Sequence, residues 1–442
     1  METDMTKGKP MGIIVRFFIP MFIGNLFQQI YNVVDSIVVG RFVGKEAFAA
    51  VGSCFLIMSF VTSILIGLAM GASAFFSQLY GAKKYDQMKK AISTPFIFIL
   101  SISIVLSIVT NVFMYKIIDL FQMPIDTITY SVEYLRFILS GLVFTGIYNV
   151  CAYLLRSIGD SKSPLYFLIV SCILNIILDL VFVIVFHMGV VGVGLATFIA
   201  QGFAAIWCAI FTAKHMKFLN FERKDIVFSR DLFKTILSYS VLTAVQQSVS
   251  SFGMLMIQGL INTFGTTVMA AFAACSKIDE FANRPLQDLS NAFSTYVAQN
   301  KGAGNTKRIR EGFYVILKLI AIISFIISIV VFIFAPDLIS IFVKKESVDI
   351  ISVGVGYLRI VCIFYVLLGC IVMFYGFFRG IGAVNVSIIL TFVSQGIRVL
   401  LAFVLAKTSM GFTGISWSIV IGWFLSNLLG TFMYRKVMIA QV

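Results

Sequence analysis

The sequence predicts an all-α polytopic membrane protein, with twelve transmembrane helices in two pseudo-symmetric six-helix bundles around a central cavity. Three observations predict this fold: the apolar composition, the spacing of the apolar runs and an internal repeat. Of the 442 residues, 60% are hydrophobic and only 12% are charged, whereas about 25% are charged in a typical globular chain. A chain this apolar is expected to lie in a membrane.

Apolar runs follow one another along the whole chain, and each is close to the roughly 20 residues that a helix needs to cross a bilayer. The runs and the breakers between them predict helices over 13–41, 47–80, 92–115, 131–155, 164–186, 190–212, 236–263, 268–300, 312–335, 351–378, 385–406 and 412–434. The charged stretch from Lys214 to Lys234 divides six helices from six. We therefore expect an N-lobe over 1–213, a cytoplasmic linker over 214–235 and a C-lobe over 236–442.

The two halves repeat one another. Arg156-Ser-Ile-Gly159 recurs 223 residues later as Arg379-Gly-Ile-Gly382, and Met188-Gly-Val-Val-Gly192 recurs 222 residues later as Met410-Gly-Phe-Thr-Gly414. An even number of helices per repeat gives both halves the same orientation. A pseudo-twofold axis along the membrane normal follows, which is an arrangement typical of transporters.

The net charge of +14 is distributed asymmetrically. The predicted inner segments hold twenty-two Lys and Arg residues, and the predicted outer loops hold six. This positive-inside pattern predicts a multi-pass protein of the inner or plasma membrane, with both termini cytoplasmic and anionic lipid at the inner face. It argues against nucleic acid as the partner. Cysteines that stand singly and only two histidines argue against a histidine-built metal site.

Two acids lie inside predicted helices of the first half, where each costs several kcal/mol to insert. By helical rise, Asp35 lies ~9 Å and Asp179 ~12 Å below the outer surface, with Asn175 and Thr197 in the same layer. Two carboxylates, an amide oxygen and a hydroxyl suit a hard cation such as Na⁺. Equally, two acids in a poor dielectric favour retention of a proton. The alternative is that these residues only hydrogen-bond helices to one another.

The second half lacks these acids. At the repeat offset, Asp35, Asn175 and Asp179 correspond to Met256, Arg398 and Ala402. The ionic site is therefore expected in the N-lobe alone. Arg398 is either a cation that faces the substrate or a paired structural charge.

Two further features concern the cavity wall and the bending of a helix. On the eighth predicted helix, Lys277, Asp279, Glu280, Arg284 and Asp288 recur at spacings of three and four, which predicts a self-neutralised polar face. The alternative is direct ion coupling through Glu280. Pro20 precedes Asp35 on the first helix and is expected to be a hinge, with a static kink as the alternative.

The segment Pro20-Met-Phe-Ile-Gly-Asn-Leu-Phe-Gln-Gln-Ile-Tyr-Asn-Val-Val-Asp35-Ser-Ile-Val-Val-Gly-Arg-Phe-Val-Gly44 resembles the first helix of the multidrug and toxic compound extrusion (MATE) family. Gln78 with Gly81, Arg156-Ser-Ile-Gly-Asp160 and the Gln299–Gly302 repeat fit as well. The resemblance covers nearly the whole chain. It implies two bundles of six helices and the export of cationic or amphiphilic drugs in exchange for H⁺ or Na⁺.

Within that family the chain is more similar to the DinF-like branch than to the NorM-like branch, whose acids lie on the seventh and tenth helices. The resemblance places the cation or proton site on Asp35, Asn175, Asp179 and Thr197. The residues expected to line the substrate cavity are Gln28, Tyr31, Asn32, Asn149, Gln246 and Met256.

The sequence therefore predicts a secondary antiporter that works by alternating access, without a cofactor and as a monomer. Its expected substrates are small organic cations or amphiphiles. The nearest alternative is a flippase of a lipid-linked or amphipathic precursor, which would be expected to have a more basic cavity. An integral membrane enzyme is a distant alternative, because no HExxH, DDxxD or nucleophile-elbow motif occurs.

Overall fold

The computed structural model describes residues 3–120, 123, 125–216, 229–343 and 346–439. These residues form helices and short connections, with no β-strand among them. Most of the predicted linker, 217–228, lies outside the described residues. The all-α fold class is confirmed.

Eight α-helices form the first half of the chain. They are α1 (Pro10–Val38), α2 (Lys45–Gly81), α3 (Tyr85–Val112), α4 (Met114–Leu120), α5 (Ile128–Ser140), α6 (Leu142–Ser157), α7 (Lys162–Leu180) and α8 (Gly189–His215). A π-helical turn continues α1 over Val39–Val43 and another continues α7 over Val181–Val185. A 3₁₀ turn, Ile125–Thr127, leads into α5.

Seven α-helices form the second half. They are α9 (Arg230–Ile261), α10 (Thr266–Gly302), α11 (Thr306–Ser340), α12 (Val348–Ile363), α13 (Tyr365–Gly380), α14 (Val384–Leu405) and α15 (Gly411–Ile439). A 3₁₀ turn over Asn262–Phe264 extends α9.

Two predicted helices, 131–155 and 351–378, are each broken in two, so their prediction as single helices was wrong. α5 and α6 bend by 41° at Gly141, and α12 and α13 bend by 55° at Phe364. At the second break, carbonyl oxygens of Cys362 and Tyr365 accept hydrogen bonds from serine hydroxyls of α11. A neighbouring helix thus satisfies backbone groups that a straight helix would have bonded internally.

The described part of the chain holds nine helices long and apolar enough to cross a membrane, or eleven if each bent pair is one span. α10 adds a helix of 37 residues, whose charged residues make it more polar than the others. The order of helices therefore fits the predicted twelve spans.

The turns between helices repeat with the sequence. Glycines with a positive φ angle, which favours glycine because it has no Cβ, occur in pairs at the repeat offset. These pairs are Gly44 and Gly265, Gly159 and Gly382, and Gly189 and Gly411. The internal repeat predicted from the motifs is therefore also a repeat of backbone conformation.

Packing divides the chain into two compact units. The first unit comprises Ile19–Ala244 with the residues up to Asp4, and the second comprises Val245–Val442 with Met5–Phe18. The predicted lobe boundaries followed chain order, whereas these units follow contacts. As a result α1 and α9 each contribute one end to each unit, and α1 changes unit just before Pro20.

Within the first unit, small residues bring helices close to α8, the helix that carries Thr197. A Cβ on Gly194 would lie 3.2 Å from Phe137 of α5, and one on Gly202 would lie 3.3 Å from Phe144 of α6. Small residues let membrane helices approach closely enough for their backbones and polar groups to interact. α8 also packs along α7.

Candidate functional site

The two acids predicted from the sequence meet inside the first unit. Asp35 lies near the end of α1 and Asp179 near the end of α7, and their side chains are 3% and 0% exposed. Their carboxyl groups lie close enough to interact directly. The sequence analysis predicted that both acids belong to one polar layer of the N-lobe, and the structure places them side by side within the first unit.

The amide and hydroxyl predicted for the same site also meet. The Asn175 Nδ2 group of α7 donates a hydrogen bond to Thr197 Oγ1 of α8 at 3.4 Å, and Thr197 Oγ1 donates to the Val193 carbonyl at 3.0 Å. Both side chains are buried. Asn175 lies one helical turn before Asp179, so the amide and this carboxyl share one face of α7.

Polar contacts hold α7 in place between α1 and α8. Ser171 Oγ donates to the Ala200 carbonyl of α8 at 2.8 Å, and Cys172 Sγ donates to the Phe27 carbonyl of α1 at 3.4 Å. A Cβ on Gly24 would lie 3.3 Å from Leu165, so α1 and α7 are in close contact below the site. These contacts fix the register of the three helices that carry the polar groups.

Several oxygen atoms of the site are buried acceptors without a donor among the described residues. They are Asp35 Oδ1, Asn175 Oδ1, Asp179 Oδ1 and Asp179 Oδ2. A buried acceptor left unsatisfied costs about 1–3 kcal/mol, and more when it is charged. Such groups call for an additional partner. Oxygen atoms of this kind can share a proton between the two acids or serve as ligands of a hard cation such as Na⁺.

Two tyrosines complete the surroundings of the acids. Tyr31 of α1 and Tyr134 of α5 both interact electrostatically with Asp35 and Asp179. The sequence analysis predicted Tyr31 but missed Tyr134. The signal was available in the internal repeat, because Tyr134-Leu135-Arg136 recurs 223 residues later as Tyr357-Leu358-Arg359.

The residues predicted to line a substrate cavity fall into two groups. In the first unit, Gln28 is exposed and its side chain contacts Tyr31, while Asn32 and Asn149 are half-buried. The Asn149 amide donates to the Thr145 carbonyl of its own helix at 2.8 Å. In the second unit, Gln246 is buried and Met256 is exposed. Pro20 is buried within α1, which continues through it.

The second unit contains a charged cluster that the sequence analysis interpreted differently. Arg284 pairs with Glu280 at 2.8 Å, as the spacing predicted. Asp279, in contrast, accepts hydrogen bonds from the hydroxyls of Tyr357 and Tyr365 and lies near Arg398. The prediction of one self-neutralised helical face missed this tertiary contact, because both tyrosines lie about eighty residues further along the chain.

Both halves of the chain match the same protein family. The MatE family model matches residues 20–181 and again 241–404. The chain belongs to the MatE family. The resemblance to the MATE family seen in the sequence is thereby confirmed, and the chain is a multi-pass membrane transporter rather than an enzyme.

Relatives cover almost the full length of the chain. It is 27% identical to each of two proteins of Bacillus subtilis, YpnP and YoeA, both described as probable multidrug resistance proteins. The alignment covers 98% of this chain and 96% of YpnP, and 88% of this chain and 86% of YoeA. A solved structure of a MOP superfamily transporter from Pyrococcus furiosus superposes with a TM-score of 0.94 over 99% of this chain and 98% of that one, at 24% identity.

Proposed function

We propose that this transporter is an antiporter that exports cationic or amphiphilic organic compounds in exchange for H⁺ or Na⁺, by alternating access. The observation that carries the proposal is the pair of buried acids, Asp35 and Asp179, with buried oxygen atoms that no described residue satisfies. Burial of an ionisable group that binds an ion only transiently raises the free energy of the state without the ion. The relatives described as multidrug resistance proteins support organic drugs as the exported class.

The coupling ion binds the carboxyl oxygens of Asp35 and Asp179, with the Asn175 and Thr197 oxygens as further ligands. It removes the repulsion between the two carboxylates and satisfies the acceptors that the described residues leave unpaired. Because the free energy of ion binding differs between site conformations, ion occupancy shifts the conformational equilibrium. Asp35 shares α1 with Gln28 and Tyr31, and Tyr31 interacts with both acids. Ion binding and substrate binding are therefore linked through this helix.

Bending of α1 at Pro20 supplies the conformational change. The proline lacks the N–H that would bond to the carbonyl one turn earlier, so this point of the helix bends at lower cost than its neighbours. α1 also passes from one compact unit to the other between Phe18 and Ile19. A hinge at the point where a helix changes unit allows its two ends to move with different partners.

The same residues support a branch within the family. We place the chain in the DinF-like branch, because its paired acids lie on α1 and α7, while α12 and α13 carry no acid apart from Asp349 in the first turn of α12. The positive-inside pattern supports cytoplasmic termini in the cell membrane. We expect a monomer to suffice, since each polar site lies within one unit.

The test is ethidium transport by the purified chain in proteoliposomes, under a proton gradient or a sodium gradient imposed separately. We expect one gradient to drive transport in the wild type, and Asp35→Asn and Asp179→Asn to abolish it. Asp119→Asn is the matched control, because it makes the same change at an exposed acid of the same unit. Full transport by both site variants would refute the ion site. If neither gradient moves the dye, a lipid-linked substrate is favoured instead.

A further inference from the structure

Four side chains from four helices converge inside the second unit. Asp279 of α10 accepts a hydrogen bond from the Tyr357 hydroxyl of α12 at 2.9 Å and another from the Tyr365 hydroxyl of α13. Arg398 of α14 interacts electrostatically with Asp279 and with Tyr357. Both tyrosines are almost fully buried, so this cluster lies in the interior of the second unit.

The cluster occupies the place that corresponds, by the internal repeat, to the ion site of the first unit. Tyr357 corresponds to Tyr134, which interacts electrostatically with the paired acids, and Arg398 corresponds to Asn175. A cation therefore stands in the second unit where an amide ligand stands in the first. Asp279 has no acidic counterpart in the first unit, because the repeat offsets of 221 to 223 relate it to the apolar stretch 56–58 of α2.

Arg398 has donor capacity that the described residues do not use. Its buried Nε–H has no acceptor among them, and no hydrogen bond or ion pair joins its guanidinium group to another described side chain. Asp279, the acid beside it, accepts hydrogen bonds from two tyrosine hydroxyls instead. A guanidinium group presents five N–H donors in a planar fork that matches a carboxylate. Arg398 is half-buried, so part of its side chain is accessible.

We propose that Arg398 binds the carboxylate of carboxylated substrates and so sets the preference of the transporter for a free carboxylate over its ester. This inference rests on the proposed export function and names a residue that determines its specificity. Arg398 donates paired N–H bonds to the substrate carboxylate. The Asp279 carboxyl oxygens accept hydrogen bonds from the two tyrosine hydroxyls, so Asp279 weakens the positive potential of Arg398 without occupying its N–H donors. Arg398 is thus a specificity-determining residue of the second unit.

The test uses two dyes that differ in one group. Rhodamine 110 carries a free carboxylate, and rhodamine 123 is its methyl ester. Binding of each dye to the purified full-length protein is measured by fluorescence anisotropy in detergent without an ion gradient, and the readout is the ratio of the two affinities. We expect Arg398→Gln to lower the preference for the carboxylate dye by about tenfold, the effect of losing one charge-assisted pair. The matched control is Arg359→Gln, which removes the same charge from an exposed site of the second unit.

Two further variants keep the test decisive. Arg398→Lys retains the charge but loses the fork, so the preference is expected to fall by about threefold or more even if the glutamine variant does not fold. Asp279→Asn removes the competing negative charge and is expected to raise the preference. An unchanged ratio in the Arg398 variants, a fall in Asp279→Asn, or no saturable binding of rhodamine 110 to the wild type would overturn the proposal. Because binding needs no gradient, its failure is distinguishable from failure of ion-driven ethidium transport.

Discussion

Replacing Asp179 with asparagine is expected to stabilise the folded protein while it abolishes transport. Both oxygens of Asp179 and Oδ1 of Asp35 lack a donor among the described residues, and the two carboxyl groups lie side by side. An asparagine Nδ2 group in this place donates to the Asp35 carboxylate. A hydrogen bond to a charged group contributes about 1.5–3 kcal/mol. A surface control such as Asp119→Asn is expected to stay within about 0.5 kcal/mol.

The assay is thermal unfolding in detergent with a maleimide dye that fluoresces when it reacts with a thiol. The described cysteines suit this assay, since six are buried and the seventh, Cys370, is half-buried. For 442 residues, an unfolding entropy of about 2 cal/mol/K per residue converts each kcal/mol into about 1 °C. Asp179→Asn should therefore raise the midpoint by about 2–3 °C at about pH 9 without Na⁺, far above the ordinary titration range of a carboxyl group.

The coupling ion should remove this difference. An ion that binds only the folded wild type stabilises it by about 2.7 kcal/mol at a hundred times its dissociation constant. The wild-type midpoint should therefore rise when Na⁺ is added or the pH is lowered, according to which ion is coupled, whereas the variant midpoint should change little. A variant midpoint at or below that of the wild type at high pH, or an equal rise of both midpoints with the ion, would contradict this account of the site.

Three further predictions concern the surroundings of the site. Tyr134→Phe keeps the buried ring but removes the hydroxyl, whose group interacts electrostatically with the acids, so ethidium transport should fall about tenfold with an unchanged unfolding midpoint. Pro20→Ala adds a helical N–H to α1, so transport should fall several-fold while the midpoint rises slightly; normal transport would argue against the hinge. Gly71→Ala should cost about 3 kcal/mol by overpacking, because its Cβ would overlap the Tyr239 carbonyl oxygen. Gly52→Ala on the same helix meets nothing within 4 Å and should elute like the folded wild type in size-exclusion chromatography.

The sequence predicted the helices and the polar layer of the first unit because both depend on local information. A helix in a bilayer must satisfy its own backbone groups, so an apolar run of sufficient length is itself the signal. The faces that carry Asp35 on α1 and Asn175 with Asp179 on α7 follow from helical spacing. The comparison of depths then required only the rise per residue. These steps do not depend on knowing which helices are neighbours.

The features that were missed depend on contacts between distant segments. The break at Phe364 is accompanied by serine hydroxyls of α11 that bond the released carbonyls, and nothing in the run 351–378 signals it. Asp279 looked like one charge on an amphipathic face of α10 because its partners, Tyr357 and Tyr365, belong to other helices. Helical spacing groups residues on one helix, and it gives no information about residues that meet across helices.

The internal repeat explains how one scaffold supports two different polar sites. The turns at Gly159 and Gly382 have φ angles of 88° and 87°, so the backbone of the two halves is held to one geometry by residues whose replacement would strain it. Side chains in the interior carry no such constraint once their polar groups are satisfied. Asn175 and Arg398 therefore stand at equivalent positions with opposite preferences for ligand charge.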